Sequence, residues 1–268
     1  MRNAASFFVL LGVLFLLACG GGGGNMTTTN PPPFIIMSGN FSMTATSQTV
    51  SNTIFIGGAI QSDSSGHVTA TMHTNDINFS CFDNISGITL TGSLSPQGQL
   101  SLTSSSINGQ TLTISAMVSS DGKTISNGTY SVSGNGCLPT GDHGTLTGAA
   151  VQLVAGTFNG SFSMNGSTIN TSLAIKQGPA GPDGSFSITA SATFTNSAAC
   201  GGFTSAGSEG GSQTGLFVST QMVPNTGATI ITFSGLFTDA TEHMINGSFV
   251  VHGGLCDQMK GPVVMTSQ

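Results

Sequence analysis

The sequence of this 268-residue protein has very little charge and almost none of the Trp and Tyr residues that form the girdles of membrane barrels. It contains four Lys and Arg residues together against ten Asp and Glu, only one Tyr and no Trp. Because Lys and Arg supply most of the affinity for phosphate backbones, we exclude nucleic-acid partners. Transmembrane β-barrels carry aromatic girdles at both membrane interfaces, and the scarcity of Trp and Tyr argues against that class as well.

The low charge does not by itself indicate disorder. Charged residues are 5% of the chain, far below the value of about 25% that is usual for soluble domains. Hydrophobic residues are nevertheless 38%, and they are regularly placed, so the chain can bury a core. Solubility must then come from Ser, Thr, Asn and Gln.

The N-terminus has the three parts of a secretory signal. Arg2 and the terminal amine supply positive charge, the stretch from Phe7 to Leu17 is apolar, and Ala18 is the small residue at a cleavage site. The apolar stretch is too short to span a bilayer, which takes about 20 residues. We therefore expect residues 1–18 to be removed, so that the mature protein begins at Cys19.

The residues around this site, Leu16, Leu17, Ala18 and Cys19, resemble the lipobox of bacterial lipoproteins. The resemblance is confined to the segment that ends at Gly20, and Leu17 departs from the smaller residue that the family prefers there. It implies that the Cys19 thiol carries a diacylglycerol that anchors the protein in the cell envelope. Gly20, rather than Asp, follows the cysteine, which in this family favours the outer membrane. The alternative is an ordinary secretory signal that ends in Cys.

A tether is expected between the anchor and the folded part. Residues 19–33 contain the glycine run Gly20–Gly24 and the prolines Pro31–Pro33, which together cannot form a core. Folded structure is predicted from Phe34 onward.

The rest of the chain has the pattern of β-strands. Apolar residues alternate with Ser or Thr in several segments, among them Phe41–Thr44, Val68–Met72, Thr111–Ile114 and Phe186–Ala190. Short turn signals separate such segments: Pro96–Gly98, Asn108-Gly109, Asp121-Gly122, Asn165-Gly166 and Asp183-Gly184. This pattern predicts an antiparallel meander.

The meander contains an internal repeat. The segment Asn127–Val132 matches Asn246–Val251 at an offset of 119 residues, which is 246 minus 127, and Cys81 and Cys200 have the same offset. The repeat predicts two homologous all-β domains, residues 34–154 and residues 155–268, of about eight strands each. We prefer an up-and-down barrel to a sandwich, because consecutive hairpins need no crossing connections and closure removes exposed strand edges.

Each copy contains two cysteines. If one ancestral copy folded alone, its cysteines could pair only with each other, which predicts the disulfides Cys81–Cys137 and Cys200–Cys256. Such bonds persist in an oxidising, exported compartment. The rival interpretation, a metal site, lacks any Cys-x-x-Cys pair, and no metal or cofactor is expected.

Candidate catalytic groups are few. The adjacent pairs Asp142-His143 and Glu242-His243 could do acid–base chemistry, but neighbouring strand residues point to opposite faces, so we predict solvated loop or edge positions. His67 and His73 would share a strand face yet lie too far apart to hold one metal ion. The motif Ser120–Lys123 fits a nucleophile-and-base pattern, but it straddles an Asp-Gly hairpin instead of a helix.

The sequence therefore predicts a lipid-anchored, non-enzymatic module with a structural or binding role. Its ligand would be a glycan, a protein or an apolar small molecule, the last in a barrel mouth. The alternative is an envelope hydrolase. A cleft that gathers Asp76, Asp83 or Asp142 with a histidine would favour the hydrolase.

Overall fold

The structure is a computed structural model that describes residues 32–50, 53–74, 87–136, 139–226, 229–238, 240–241 and 243–268. The chain from Pro33 to Gln268 forms one compact unit. Cys19, Cys81 and Cys137 lie outside the described residues, as does the predicted signal segment.

Eight antiparallel strands close the first barrel, called barrel 1. They are β1 (Ser38–Ser47), β2 (Thr53–Ser62), β3 (His67–Thr74), β4 (Ile88–Leu94), β5 (Gln99–Ser104), β6 (Gln110–Val118), β7 (Thr124–Gly134) and β8 (His143–Ala150). Each strand pairs with the next, and β8 pairs with β1 from Phe41↔Ala150 to Ser47↔Gly144.

Eight further strands close the second barrel, called barrel 2. They are β9 (Ala155–Met164), β10 (Ser167–Ala180), β11 (Phe186–Thr195), β12 (Ser205–Thr214), β13 (Phe217–Pro224), β14 (Ile230–Phe237), β15 (Met244–His252) and β16 (Lys260–Ser267). Two short 3-10 helices, Ala198–Cys200 and Gly254–Cys256, lie in the β11–β12 and β15–β16 connections. The prediction of two tandem eight-stranded barrels is confirmed.

Alternation of apolar and small polar residues forms these walls. In β11, for example, every second residue from Phe186 to Phe194 is buried and the residues between them are exposed. The core of barrel 1 is mainly aliphatic, whereas barrel 2 has an aromatic core in which the rings of Phe162 and Phe233 each lie 4.9 Å from the Phe249 ring. Within the described residues, no helix has the length and apolar character needed to cross a bilayer.

The predicted turns are formed in two ways. In Asn108-Gly109 and Asn165-Gly166 both residues have positive φ, which suits tight two-residue hairpins. In Asp121-Gly122 and Asp183-Gly184 only the glycine has positive φ. The aspartate there accepts a hydrogen bond from the backbone N–H two residues later, at Lys123 or Ser185.

The segment that enters each barrel closes one of its ends in the same way. Met37, before β1, donates its N–H to Ser62 Oγ and accepts from the Ser62 N–H, both at 2.8 Å. Val154, before β9, makes the corresponding two hydrogen bonds with Gln177. Its N–H donates to Gln177 Oε1 at 3.2 Å, and its C=O accepts from the Gln177 N–H at 2.8 Å. Met37 and Val154 are buried in their respective cores. The two copies therefore share this closure as well as their strand order.

The two barrels are joined by a close backbone contact. The turn between β12 and β13 places Gly215 against β1 and β2, where a Cβ added at Gly57 would lie 2.5 Å from the Gly215 nitrogen. The buried Asn40 amide accepts from Gly215 N–H at 2.8 Å and donates to Gly215 C=O at 3.0 Å. Nearby, Ala59 N–H donates to Gly184 C=O at 3.1 Å. These contacts fix the position of one barrel against the other.

Candidate functional site

The interiors of the barrels are filled by their own side chains. Phe41, Met43 and Ile60 in barrel 1 are fully buried, and Phe233, Phe249 and Met265 are fully buried in barrel 2. Small barrels of eight strands have an interior just wide enough for such filling. A candidate ligand site therefore has to be sought on the outer surface.

A large concave surface lies on the outer wall of barrel 2. We call it the groove; it is open to solvent, encloses about 1070 Å³ and crosses β10, β9, β16, β15 and β14. Its lining residues are Asn159, Gly160, Ser161, Asn170, Ser234, Asn246, Gly247, Ser248, Lys260, Pro262, Val263 and Val264. A barrel wall is normally convex, so this concavity needs a local cause.

Inward-facing glycines supply that cause. Gly160, Gly235 and Gly247 each lie between two inward, buried residues of their strands, so each leaves an interior position without a side chain. Gly235 pairs with Gly247 across β14 and β15, and Gly247 pairs with Val263 of β16. Gly160 pairs with Met265, two residues further along β16. The three glycines therefore lie close together on neighbouring strands, where the wall can approach the axis.

Neighbouring side chains occupy the space that these glycines leave. A Cβ added at Gly235 would lie 2.5 Å from Ile245 Cγ2, and one at Gly247 would lie 2.6 Å from Ser234 C=O and 3.0 Å from Phe233 Cε2. Distances below 3.0 Å require the surroundings to shift. The wall is thus packed in its indented position, and the groove is a built feature of barrel 2.

The strand seam beneath the groove is also incomplete. β16 pairs with β15 as far as Lys260, but with β9 only from Val264 to Ser267. In barrel 1 the corresponding β1–β8 pairing covers seven residue pairs. Pro262 has no N–H to donate toward a neighbouring strand, which explains why the ladder stops beside it.

Barrel 1 has bulkier residues at two of the three glycine positions. Met43 on β1 is the counterpart of Gly160 on β9: Met43 pairs with Gly148, and Gly160 pairs with Met265. The repeat aligns Ala116 with Gly235. Only Gly128, the match of Gly247, is retained. All three positions are glycine only in barrel 2, although the Met43↔Gly148 pair of barrel 1 also contains one glycine, on the opposite strand.

Uncharged hydrogen-bonding side chains line the groove together with the apolar residues Pro262, Val263 and Val264. The side chains of Asn159, Asn170 and Asn246 contribute amides, and three serines contribute hydroxyls. Lys260 is the one charged residue in the described lining, which has no carboxylate. The Nδ2 group of Asn159 is buried and has no hydrogen-bond partner among the described residues. Such a surface can both donate and accept hydrogen bonds, but it holds no acid–base pair.

The structure corrects the expectation for Asp142. Asp142 was predicted on a solvated loop or edge, but its side chain is fully buried at one end of barrel 1. Its carboxylate accepts hydrogen bonds from Ser47 Oγ at 2.6 Å and from Tyr130 Oη at 3.0 Å. Burial of Tyr130, together with the adjacent Asp142 carboxylate, raises the pKa of the phenol to about 12. The phenol thus stays protonated and acts as a donor.

This cluster is not arranged as a catalytic site. His143 is exposed on the opposite side from Asp142, and its Nδ1 lies 3.0 Å from Gly141 C=O. The serine and tyrosine hydroxyls are both directed at the carboxylate, and no nucleophile is presented at the surface. A buried carboxylate with two hydroxyl donors satisfies the polar groups that close this end of the barrel.

The remaining histidines are dispersed. His67 and His73 both lie on β3, as expected, with His67 exposed and His73 Nε2 2.8 Å from Asp183 C=O of barrel 2. His243 is exposed, with Nδ1 3.3 Å from Ser267 Oγ, while Asp76, Asp83 and Glu242 lie outside the described residues. In the described parts of the chain no group of three or more His, Cys, Asp or Glu residues could hold a metal ion.

The cysteines of barrel 2 form a disulfide. Cys200 and Cys256 are bonded and buried, as the repeat predicted, and they join the two 3-10 helices at the end of the barrel opposite Val154. The lipidation at Cys19 and the bond between Cys81 and Cys137 fall on residues that the structure does not describe, and both stay predictions.

The sequence reasoning missed the groove, although one signal was present. Gly160, Gly235 and Gly247 interrupt the apolar half of an alternating pattern, and glycine inside a strand marks a bulge or a close approach of backbone. Their proximity in the barrel depends on strand register, which only the structure supplies.

Comparisons with known proteins do not indicate a catalytic family. No protein-family model matches the chain, and neither does any curated protein. One similar solved structure is a protein of unknown function from the DUF3598 family of Nostoc punctiforme. It is 9% identical, the alignment covers 88% of this chain and 96% of that chain, and the TM-score is 0.25. A match at this score supports no conclusion about function.

Proposed function

We propose that the protein is a lipid-anchored module of the cell envelope that binds a ligand in the groove of barrel 2 and catalyses no reaction. One observation carries the binding role: the groove of about 1070 Å³ lies where barrel 2 has three inward glycines, whereas barrel 1 has Met43 and Ala116 at two of the matching positions. A purely structural wall has no need of such an indentation, because ordinary side chains would pack the interior equally well.

The anchor rests on the N-terminal sequence. The charged, apolar and small-residue segments end at Cys19, which matches the lipobox of bacterial lipoproteins. The disulfide between Cys200 and Cys256 supports export, because such bonds persist in oxidising compartments. Gly20 after the cysteine favours the outer membrane.

The anchor is tested by metabolic labelling with a fatty-acid analogue. We expect the label in the wild-type protein, and none in Cys19→Ser. A Cys200→Ser/Cys256→Ser variant serves as the control, because it removes two other cysteines and should keep the label. Label that persists in Cys19→Ser would contradict lipidation at this residue.

The binding role is tested by blocking the groove from outside. Ser161 is exposed on β9 at the groove, and its counterpart in barrel 1 is Thr44. Thermal unfolding of the lipidated protein in detergent micelles is measured against a panel of oligosaccharides, peptides and fatty acids. We expect at least one compound to raise the Tm of the wild type and of Thr44→Tyr, but not of Ser161→Tyr.

Two results would oppose the binding role. One is a Tm of the wild type that no member of the panel changes, which would favour a structural module. The other is an equal rise in Ser161→Tyr, which would place the ligand elsewhere on the molecule.

A further inference from the structure

We propose that the ligand of the groove is a neutral, hydroxyl-rich polysaccharide chain. This inference rests on the proposed function and adds the class of ligand. It follows from the donor and acceptor groups of the lining, from its charge, and from the geometry of the incomplete seam.

The hydrogen-bonding groups of the groove match sugar hydroxyls. A hydroxyl both donates and accepts, and so do the amides of Asn159, Asn170 and Asn246 and the hydroxyls of Ser161 and Ser234. Asn170 on β10 and Asn246 on β15 are exposed on the two sides of β9 and β16, where they can reach a bound chain. An apolar ligand would leave these groups without partners, which is unfavourable.

Charge favours a neutral ligand over an acidic or a basic one. The formal net charge of the full chain is −6, so a polyanion would be repelled at long range, and Lys260 alone in the groove cannot offset that repulsion. A polycation would meet no carboxylate in the described lining. A neutral sugar chain is not repelled by the net charge of the protein and needs no carboxylate in the groove.

The seam argues against an extended peptide. A peptide that adds to a sheet needs a continuous strand edge for its backbone hydrogen bonds. The unpaired part of β16 contains Pro262, which has no N–H, and Val264 already pairs with Ser161. The free edge is thus short and interrupted.

The shape of the groove indicates a chain bound weakly along its length. It is an open surface and not an enclosed cavity, so it can accept an internal segment of a polymer. A hydrogen bond on an exposed surface replaces one with water, so each contributes little net binding free energy. The lining also contains no aromatic ring on which a sugar could stack. Strong retention would then require many copies of the protein on one membrane, which lipid anchoring supplies.

The experiment uses the lipidated protein in liposomes, which present many copies at once. Retention is measured on immobilised neutral hexose oligosaccharides, on uronic-acid oligosaccharides of the same length, and on uncharged peptides. We expect retention on the neutral oligosaccharides, a loss of roughly tenfold or more in Ser161→Tyr, and no loss in Thr44→Tyr. Lys260→Glu tests the contribution of charge inside the groove. Its control is His143→Glu at the matching position of barrel 1, which lies outside the groove and should leave retention on the neutral oligosaccharides unchanged.

The outcomes separate the ligand class from the groove itself. Preference for the uronic-acid oligosaccharides, abolished by Lys260→Glu, would overturn the neutral class and leave the groove as the site. Retention on the peptides that Ser161→Tyr blocks would do the same. Retention on no surface, or retention that Ser161→Tyr leaves unchanged, would overturn both the ligand class and the proposed function.

Discussion

At the scale of single residues, the main result is that one tyrosine and one aspartate together close an end of barrel 1. Tyr130 and Ser47 both donate to the buried Asp142 carboxylate. A buried carboxylate without such donors would be strongly unfavourable, which makes the three side chains interdependent. In barrel 2 the matching position of Tyr130 is Phe249, and the polar cluster is replaced by packed phenylalanine rings.

The raised pKa of Tyr130 gives a prediction that can be measured without interference. The chain has one Tyr and no Trp, so the ultraviolet absorbance of the tyrosinate reports this residue alone. We expect the phenol of the folded protein to ionise near pH 12, since its pKa is raised from 10.0 to about 12. The Tyr130→Phe variant, which should show no such absorbance change, is the control.

The same shift fixes the sign of the stability change in alkali. The pKa of Tyr130 is higher in the folded state than in the unfolded state. The protonated phenol therefore contributes its full stabilisation of the fold below pH 10, and this contribution is lost as the pH rises through about 12. A midpoint near pH 10 in the folded protein would mean that the phenol is exposed, and that the contact with Asp142 is absent.

At the scale of the strands, the wall beneath the groove depends on glycines that face inward. Gly247 has no room for a side chain, because an added Cβ would meet Ser234 C=O at 2.6 Å. We expect Gly247→Ala to lower the free energy of unfolding by about 1–3 kcal/mol through overpacking, as measured by urea denaturation. The matched control is Gly207→Ala on β12, where nothing lies within 4 Å of the added Cβ. Equal effects of the two substitutions would contradict the packing argument.

The strands themselves were predictable, whereas their three-dimensional consequences were not. Alternation in Phe41–Thr44 and Phe186–Ala190, with Asn-Gly and Asp-Gly turns between such segments, was sufficient to predict the barrels, and these segments lie in β1 and β11. The burial of Asp142 could not be read from its neighbours, because it depends on Ser47, 95 residues earlier in the chain. The groove escaped prediction for a similar reason, since it depends on the register of four strands.

At the scale of the whole molecule, the two barrels are held together by a specific contact. Asn40 is buried and binds both backbone groups of Gly215, 175 residues away. The repeat places Thr157 at the position of Asn40 in the second copy, so this junction is not reproduced there. The groove is thus carried by a barrel whose position is fixed against its neighbour.

This junction predicts how the molecule unfolds. We expect the wild-type protein to unfold in a single calorimetric transition, because each barrel contributes buried contacts to the other. Asn40→Ala leaves the Gly215 N–H without its acceptor and should lower stability by about 1–3 kcal/mol. The control, Thr157→Ala at the matching position of barrel 2, should change stability less. Two separate transitions in the wild type would show that the barrels unfold independently.

The most direct test of the central claim, that the groove of barrel 2 binds a neutral glycan, is hydrogen–deuterium exchange. The lipidated protein in micelles is compared with and without a saturating neutral hexose oligosaccharide. We expect slower exchange in β9, β15 and β16 around the groove, with no change in the matching strands β1, β7 and β8 of barrel 1. Protection that falls on barrel 1 or on the junction, or exchange that the oligosaccharide leaves unchanged throughout, would contradict it.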